Sequence, residues 1–246
     1  MSLSDLERVG FDVQTVNHAL AVLTTDFPEP LEELCGVLMD FRVTDVELIK
    51  GGGGEAESTQ RLRRSLTERQ WIKRNIVIRK TVDDIERAAI SHEIDHVRRS
   101  HEGAIALEIE WNNKDPFFDR DLENFQRLHS EGAISVGIIV TRGESLQGSM
   151  VQIVADCAVN HAVRSFDDLE QFNVNPTARQ RGMVRTEGDG FVADWARRFV
   201  QDKFGSATTH WNKLRERIER GVGNPCPLLL IGIPATSVYQ DRLPQA

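Results

Sequence analysis

The chain has little cysteine and no pattern in it: Cys35, Cys157 and Cys226 are the only three in 246 residues, far apart and without a Cys-x-x-Cys pair. That scarcity excludes a disulfide framework and a cysteine-rich zinc site, and points to a reducing, cytoplasmic compartment. No uninterrupted apolar run reaches membrane-spanning length, and the N-terminus, MSLSDLERVGFDV, lacks a basic segment followed by an apolar core. The protein is expected to be neither exported nor embedded in a membrane. No Pro/Ser-rich linker, charge block or internal repeat divides it, so one domain over 1–246 is expected, with helices of 1–50 and 190–222 packed on a core of about 70–160.

Basic excess is also missing. The net charge is −8, which argues against a non-specific nucleic-acid coat, yet binding depends on where charges lie. Between Arg61 and Lys80 stand eight basic residues, Arg61, Arg63, Arg64, Arg69, Lys73, Arg74, Arg79 and Lys80, against one acid, Glu68. This is either a solvated helix face or a surface for a polyanion.

What is present reads as α/β. The first forty residues suggest two helices, the second carrying Leu31, Leu34, Leu38 and Phe41 at helical spacing behind Pro30. GGGGEAEST (Gly51 to Thr59) reads as a loop without the Gly-Lys-Ser/Thr ending of a phosphate loop. Arg61 to Lys73 suggests a helix and NIVIRK a short strand. AIALEIEW is a strand, Asp115-Pro116 opens a helix bearing Phe118, Leu122, Phe125 and Leu128, and AISVGIIVT (Ala133 to Thr141) is a strand covered on both faces. Strand, helix and buried strand make a β-α-β crossover. Phe191 to Phe204 and His210 to Arg220 read as amphipathic helices, and CPLLLIGIP as a last buried strand. The class is a mixed β-sheet flanked by helices.

Two constellations compete for the chemistry. HEIDH, His92 to His96, is a complete H-E-x-x-H; on a helix the two histidines share a face and bind zinc while Glu93 activates water, and 83–97 admits a helix. The longer metzincin spacing fails, because Arg99 and Glu102 stand where glycine and a third histidine are needed. In the rival reading EIDHV is a strand or its approach. Asp95 then faces Glu108-Ile109-Glu110 on the next strand, where Glu108 and Glu110 share one face ~6 to 7 Å apart. Three converging carboxylates call for a divalent cation, and hard oxygen donors suit Mg2+. Such a cation activates water and stabilises charge on a phosphoryl oxygen. Solvated surface glutamates are the alternative.

An Asp followed by Glu-x-Glu/Gln on the next strand resembles the modified motif of PD-(D/E)xK nucleases, specifically type II restriction endonucleases of the BglII and BamHI kind. QWIKRNIVI (Gln70 to Ile78), EIDHV, IALEIEWNN, ISVGIIVTRG and CPLLLIGIP follow one another as the matching segments of BglII-like enzymes do. The resemblance implies a restriction-endonuclease-like catalytic core, with Asp95 and Glu108 as metal-binding acids and Glu110 at the position occupied by lysine in the general motif. It implies Asn75 as a supporting residue. The chain carries extra residues between Asp95 and Glu108, implying a longer hairpin, and Lys114 lies beyond the motif lysine's place.

The implied function is Mg2+-dependent hydrolysis of double-stranded DNA by a homodimer reading a short palindrome. The basic run, Lys73 and Arg74 among it, would contact phosphates, with Lys114 beside the site. Asn112, Asn113 and the loop GESLQGS, Gly143 to Ser149, are candidates for base readout, since asparagine pairs bidentately with adenine. A strand-ending turn is the alternative role of the two asparagines. A zinc hydrolase and a catalytically inactive DNA-binding module remain the competing functions.

Overall fold

The computed structural model describes residues 1–51, 54–184 and 190–241. The chain begins with α1 (Leu3–Arg8), β1 (Asp12–Val16), α2 (Ala19–Asp26), α3 (Pro28–Met39), β2 (Val43–Thr44), α4 (Asp45–Ile49) and α5 (Glu57–Glu68). It continues through β3 (Ile72–Val82), β4 (Ile85–Arg99), β5 (Ala104–Glu110), α6 (Pro116–Ser130), β6 (Val136–Arg142) and α7 (Glu144–Asn160). It closes with α8 (Ala178–Met183), α9 (Phe191–Phe204), α10 (Trp211–Glu219), β7 (Leu228–Ile233) and β8 (Val238–Tyr239). Gly52 and Gly53 of the expected glycine loop lie outside the described residues. Among the described residues no helix is long and apolar enough to cross a membrane.

Six strands form one mixed sheet in the order β1-β7-β6-β5-β4-β3. The central β5, β6 and β7 run parallel and are buried along their whole length, as their continuous apolar sequences require. β3, β4 and β1 complete the sheet antiparallel to their neighbours. α6 is the crossover between β5 and β6. Its Phe118, Leu122, Phe125 and Leu128 pack with Trp211 and Leu214 of α10 over one sheet face, against Ala106, Ile139, Leu228 and Leu230. The other face carries Leu107, Ile109, Ile138 and Ile231 beneath α3, α5, α7 and α9. The alternation of β5 therefore sends Leu107, Ile109 and Trp111 into one core and the opposite set towards α6.

Several expectations change. The N-terminal forty residues hold three helices and an edge strand, β1; all five strand residues are half-buried, so an alternating signal is absent. The expected helix from Arg61 ends at Glu68, where Gln70 turns the chain at φ 66°, and NIVIRK extends into the eleven-residue β3. Residues 83–97 are not helical. Asp83 and Asp84, both left-handed, make the turn into the fifteen-residue β4, a conformation that short polar side chains tolerate. GESLQGS is no loop: Gly143 is the N-cap of α7 and Ser149 lies inside that helix, half-buried. Asp115 does occupy the N-cap position of α6, but its carboxylate accepts from Arg217 Nη2 at 2.9 Å instead of capping.

α6 lies very close to the sheet. A Cβ on Gly137 of β6 would come 2.4 Å from the Phe125 ring. Gly137→Ala is expected to destabilise the protein by about 1–3 kcal/mol through overpacking, read as a lower denaturant midpoint with an unchanged m-value; unchanged stability would show that α6 stands further off.

Candidate active site

On β5, Glu108 and Glu110 point to the α6 side together with Ala106, and both are nearly inaccessible, 5% and 3% exposed. Facing them from α6 is a third acid, Asp121, 1% exposed, inside the apolar stripe of Phe118, Leu122 and Phe125. Asp121 Oδ1 accepts from Arg120 Nε at 2.8 Å, and Arg120 Nη2 also lies 3.6 Å from Glu110 Oε1. Asn113 Nδ2 donates to Glu110 Oε2 at 2.8 Å. No donor is directed at Asp121 Oδ2. One half-exposed guanidinium serves this buried acidic cluster, which is short of positive charge.

The electrostatic consequence is plain. Burial, then Asp121 and Asp95, push the Glu108 carboxyl up to about 9. Burial and the facing Asp121 push Glu110 up to about 8. Asp121 is raised as well, chiefly by burial, with its hydrogen bond to the Glu110 carboxyl and then Arg120 opposing. Without a cation the cluster holds protons near neutral pH.

Asp95 reaches the site through an irregularity in β4. The β3–β4 register passes from Ile72↔Val97 to Arg74↔Ile94, which leaves Asp95 and His96 together opposite Lys73. This is a β-bulge, and bulges re-aim side chains. From β5 the pairing His96↔Leu107 brings Asp95 beside Glu108 one step further on. Asp95 is exposed, and Lys73 Nζ lies 3.6 Å from it and 2.6 Å from Glu93. β4 runs on to Arg99 before the turn into β5, which is the longer hairpin implied by the extra residues.

His92 and His96 sit four residues apart on an extended strand, hence roughly 13 Å apart, whereas zinc–nitrogen bonds are ~2 Å. The zinc reading of H-E-x-x-H is thereby overturned. Both rings are buried, and burial lowers His96 to about 4.

The other expected residues divide. Lys73 joins the acids. Asn75 does not: it is exposed, pairs with Glu93 across the hairpin, and its Oδ1 accepts from Ser91 Oγ at 2.5 Å. Asn113 is tied to Glu110, while Asn112 Oδ1 is buried without a partner. Lys114 is exposed and bridges to Thr208, and Arg74 is half-buried with its Nε unpartnered. Ser149, within α7, has no recorded contact with these groups.

Asp95, His96, Lys73, Asn112 and Asn113 line a cleft of about 1200 Å³ whose walls also carry Lys50, Arg63, Arg64 and Lys203. Part of the basic run thus faces the acids; Arg61 does not, because it clamps Glu47 at 2.5 and 2.8 Å. The floor is held by Arg142, a residue that no sequence pattern singled out. Fully buried, it donates to Trp111 O at 2.8 Å, Gln147 Oε1 at 2.5 Å, Thr208 Oγ1 at 2.6 Å and Thr209 O at 2.7 Å. These bonds lock the end of β5 to α7 and to the segment before α10.

Among the described residues no three His, Cys, Asp or Glu form a ready metal cage. The donor set nevertheless fits a hard divalent cation: it is all oxygen, a single guanidinium answers the three buried acids, and the buried Asp121 Oδ2 has no nitrogen or hydroxyl donor. Mg2+ commonly takes one or two protein carboxylates and completes its shell with water and substrate phosphate.

A mixed sheet that carries paired acids on a central strand, under a helix and beside a basic cleft, is the framework of a restriction-endonuclease-like nuclease. The family model described as restriction endonuclease BglII/BglIII matches residues 11–233, and the chain belongs to this family. The family places it among the DNA-cleaving endonucleases of restriction–modification systems, which act on double-stranded DNA, generally with a divalent metal. A search of curated proteins finds no match.

In the folded, metal-free protein Glu108 and Glu110 keep protons that the unfolded chain releases above its ordinary value of 4.5. Their contribution to stability is present below that value and is lost as pH rises towards 8–9. Melting temperatures measured from pH 5 to 9 in chelator are expected to fall, and Glu108→Gln to flatten the slope; an identical slope in the variant would contradict these shifts.

Proposed function

We propose that the chain is a Mg2+-dependent, homodimeric type II endonuclease that hydrolyses one phosphodiester in each strand of a short palindromic site in double-stranded DNA. The observation that supports this reading most is the cluster of Glu108 and Glu110 immediately behind Asp95 and Asn113, which line the basic cleft. A divalent cation, when bound, lowers the pKa of water and offsets charge on the phosphoryl oxygen.

The chain's own residues do the rest. Asp95 and Glu108 hold the cation from adjacent strands. Glu110, its Oε2 fixed by Asn113, orients the attacking water and, once its own proton has been displaced by the cation, takes the proton of that water. Arg63, Arg64 and Lys73 follow the phosphates along the cleft, and Arg74 and Lys114 extend that contact. Asn112, which lines the cleft, reads a base edge. A two-fold dimer matches a two-fold site, so each subunit cuts one strand. The working compartment is the cytoplasm, and 1–246 acts as one restriction-endonuclease-like domain.

Asp95→Ala and Glu108→Ala are each expected to abolish Mg2+-dependent cleavage of plasmid and phage DNA into discrete fragments while leaving specific binding in gel-shift assays. Retained cleavage would overturn the assignment, and wild-type binding without cleavage in any divalent metal would favour the inactive DNA-binding module. Arg63→Ala is expected to weaken binding across sequences and to reduce the salt slope of log K by roughly 0.9, measured by titration at several salt concentrations. An unchanged slope would remove Arg63 from the phosphate path.

A further inference from the structure

α6 needs an apolar face to cover the sheet, and it supplies Phe118, Leu122, Phe125 and Leu128 at helical spacing. Asp121 breaks that face from within. A leucine there would complete the stripe, whereas a buried carboxylate costs free energy unless each oxygen has a partner. Oδ1 has Arg120; Oδ2, in a residue 99% buried, has no nitrogen or hydroxyl donor, and the remaining hydrogen bond of Asp121 is to the Glu110 carboxyl, which can make it only while one of the two acids keeps a proton. The Glu110 carboxyl faces Asp121 directly, and Arg120 Nη2 reaches both, 2.7 Å from Asp121 Oδ1 and 3.6 Å from Glu110 Oε1. Arg120 is itself half-exposed and stacked on Phe117 at 4.3 Å, so it covers the pair from the rim and leaves Asp121 Oδ2 without a nitrogen donor. Two carboxyls that face each other in a dry site require a proton or a cation between them.

Resting on the nuclease reading of this site, we propose that Asp121 is a metal-holding carboxylate, so that the divalent cation is shared between β5 and α6 and not held by strands β4 and β5 alone. The helix then takes part in the reaction centre. Asp121 would join Asp95 and Glu108 as an oxygen donor to the cation, and Glu110, in contact with Asp121, would keep its place beside the attacking water. Two carboxylates in contact with others at greater distance match a cluster that forms no closed cage before substrate arrives.

The test measures Mn2+ binding to the metal-free, full-length chain by calorimetry and by the Mn2+ electron paramagnetic resonance signal. The proteins compared are the wild type, Asp121→Asn, Asp121→Glu, Glu110→Gln and Glu108→Gln. Asp121→Asn keeps the volume and the acceptor for Arg120; Asp121→Glu keeps the charge. Mn2+ affinity is expected to fall about 10-fold or more in Asp121→Asn and to recover most of that loss in Asp121→Glu. The unfolding midpoint of metal-free Asp121→Asn is expected to hold or rise, because a buried acid is removed. Wild-type Mn2+ affinity in Asp121→Asn, with affinity lost in Glu108→Gln, would overturn the role of Asp121 and leave the nuclease site standing. Losses that merely track unfolding in both Asp121 variants would also overturn it. Unchanged affinity in Glu108→Gln, Glu110→Gln and Asp121→Asn together would overturn the metal site itself.

Discussion

Burying carboxyl groups between a strand and a helix is the constraint on which the rest of the structure depends. Glu108 and Glu110 belong to β5, a strand buried along its whole length, and Asp121 belongs to the helix that covers it. A fold of this size has only a modest margin of stability, so uncompensated acids at its centre weaken it. Protons neutralise the acids in the empty state, and in the proposed working state a cation replaces them. Binding and ionisation are therefore coupled, and the same burial that disfavours charge strengthens each interaction with a bound cation.

The surrounding structure holds these acids in place. Gly137 lets α6 approach β6, which brings Asp121 against β5. Arg142 fixes the carbonyl of Trp111 and reaches across to Thr208 and Thr209, so the residues after Glu110 have a defined path. Along that path Asn113 turns back to hold Glu110. The bulge in β4 adds Asp95 from the neighbouring strand and puts Lys73 beside it. The basic cleft opens where that bulge meets α5, so one irregularity links the buried acids to the surface on which DNA is proposed to lie.

Much of this was legible in the sequence because it depends on short periods. The alternation of AIALEIEW placed Glu108 and Glu110 on one face, and the apolar runs of β6 and β7 announced enclosed strands. The α6, α9 and α10 stripes fell at helical spacing. What could not be read required knowledge of partners. β1 is a half-buried edge strand with no alternating pattern. H-E-x-x-H puts its histidines on one face in either a helix or a strand, so periodicity could not decide between them; the hairpin did. Asn75 was placed by resemblance, yet it pairs with Glu93 and bonds Ser91, on the far side of the bulge from the acids. Asp121 leaves a signal, a charge between Phe118 and Phe125 on a covered face, but one acid in a stripe does not by itself tell a buried carboxylate from a solvated one. The burial of Arg142 had no local signal, because its acceptors come from distant segments.

The central claim is that a divalent cation bound at the β5–α6 acids is the reaction centre of a DNA-cleaving enzyme. Anomalous diffraction from crystals of the protein with Mn2+ and its DNA site measures this most directly. The predicted result is a Mn2+ peak within coordination distance of Asp95, Glu108 and a DNA phosphate; a peak at His92 or His96, or none beside the buried acids while DNA occupies the cleft, would contradict it.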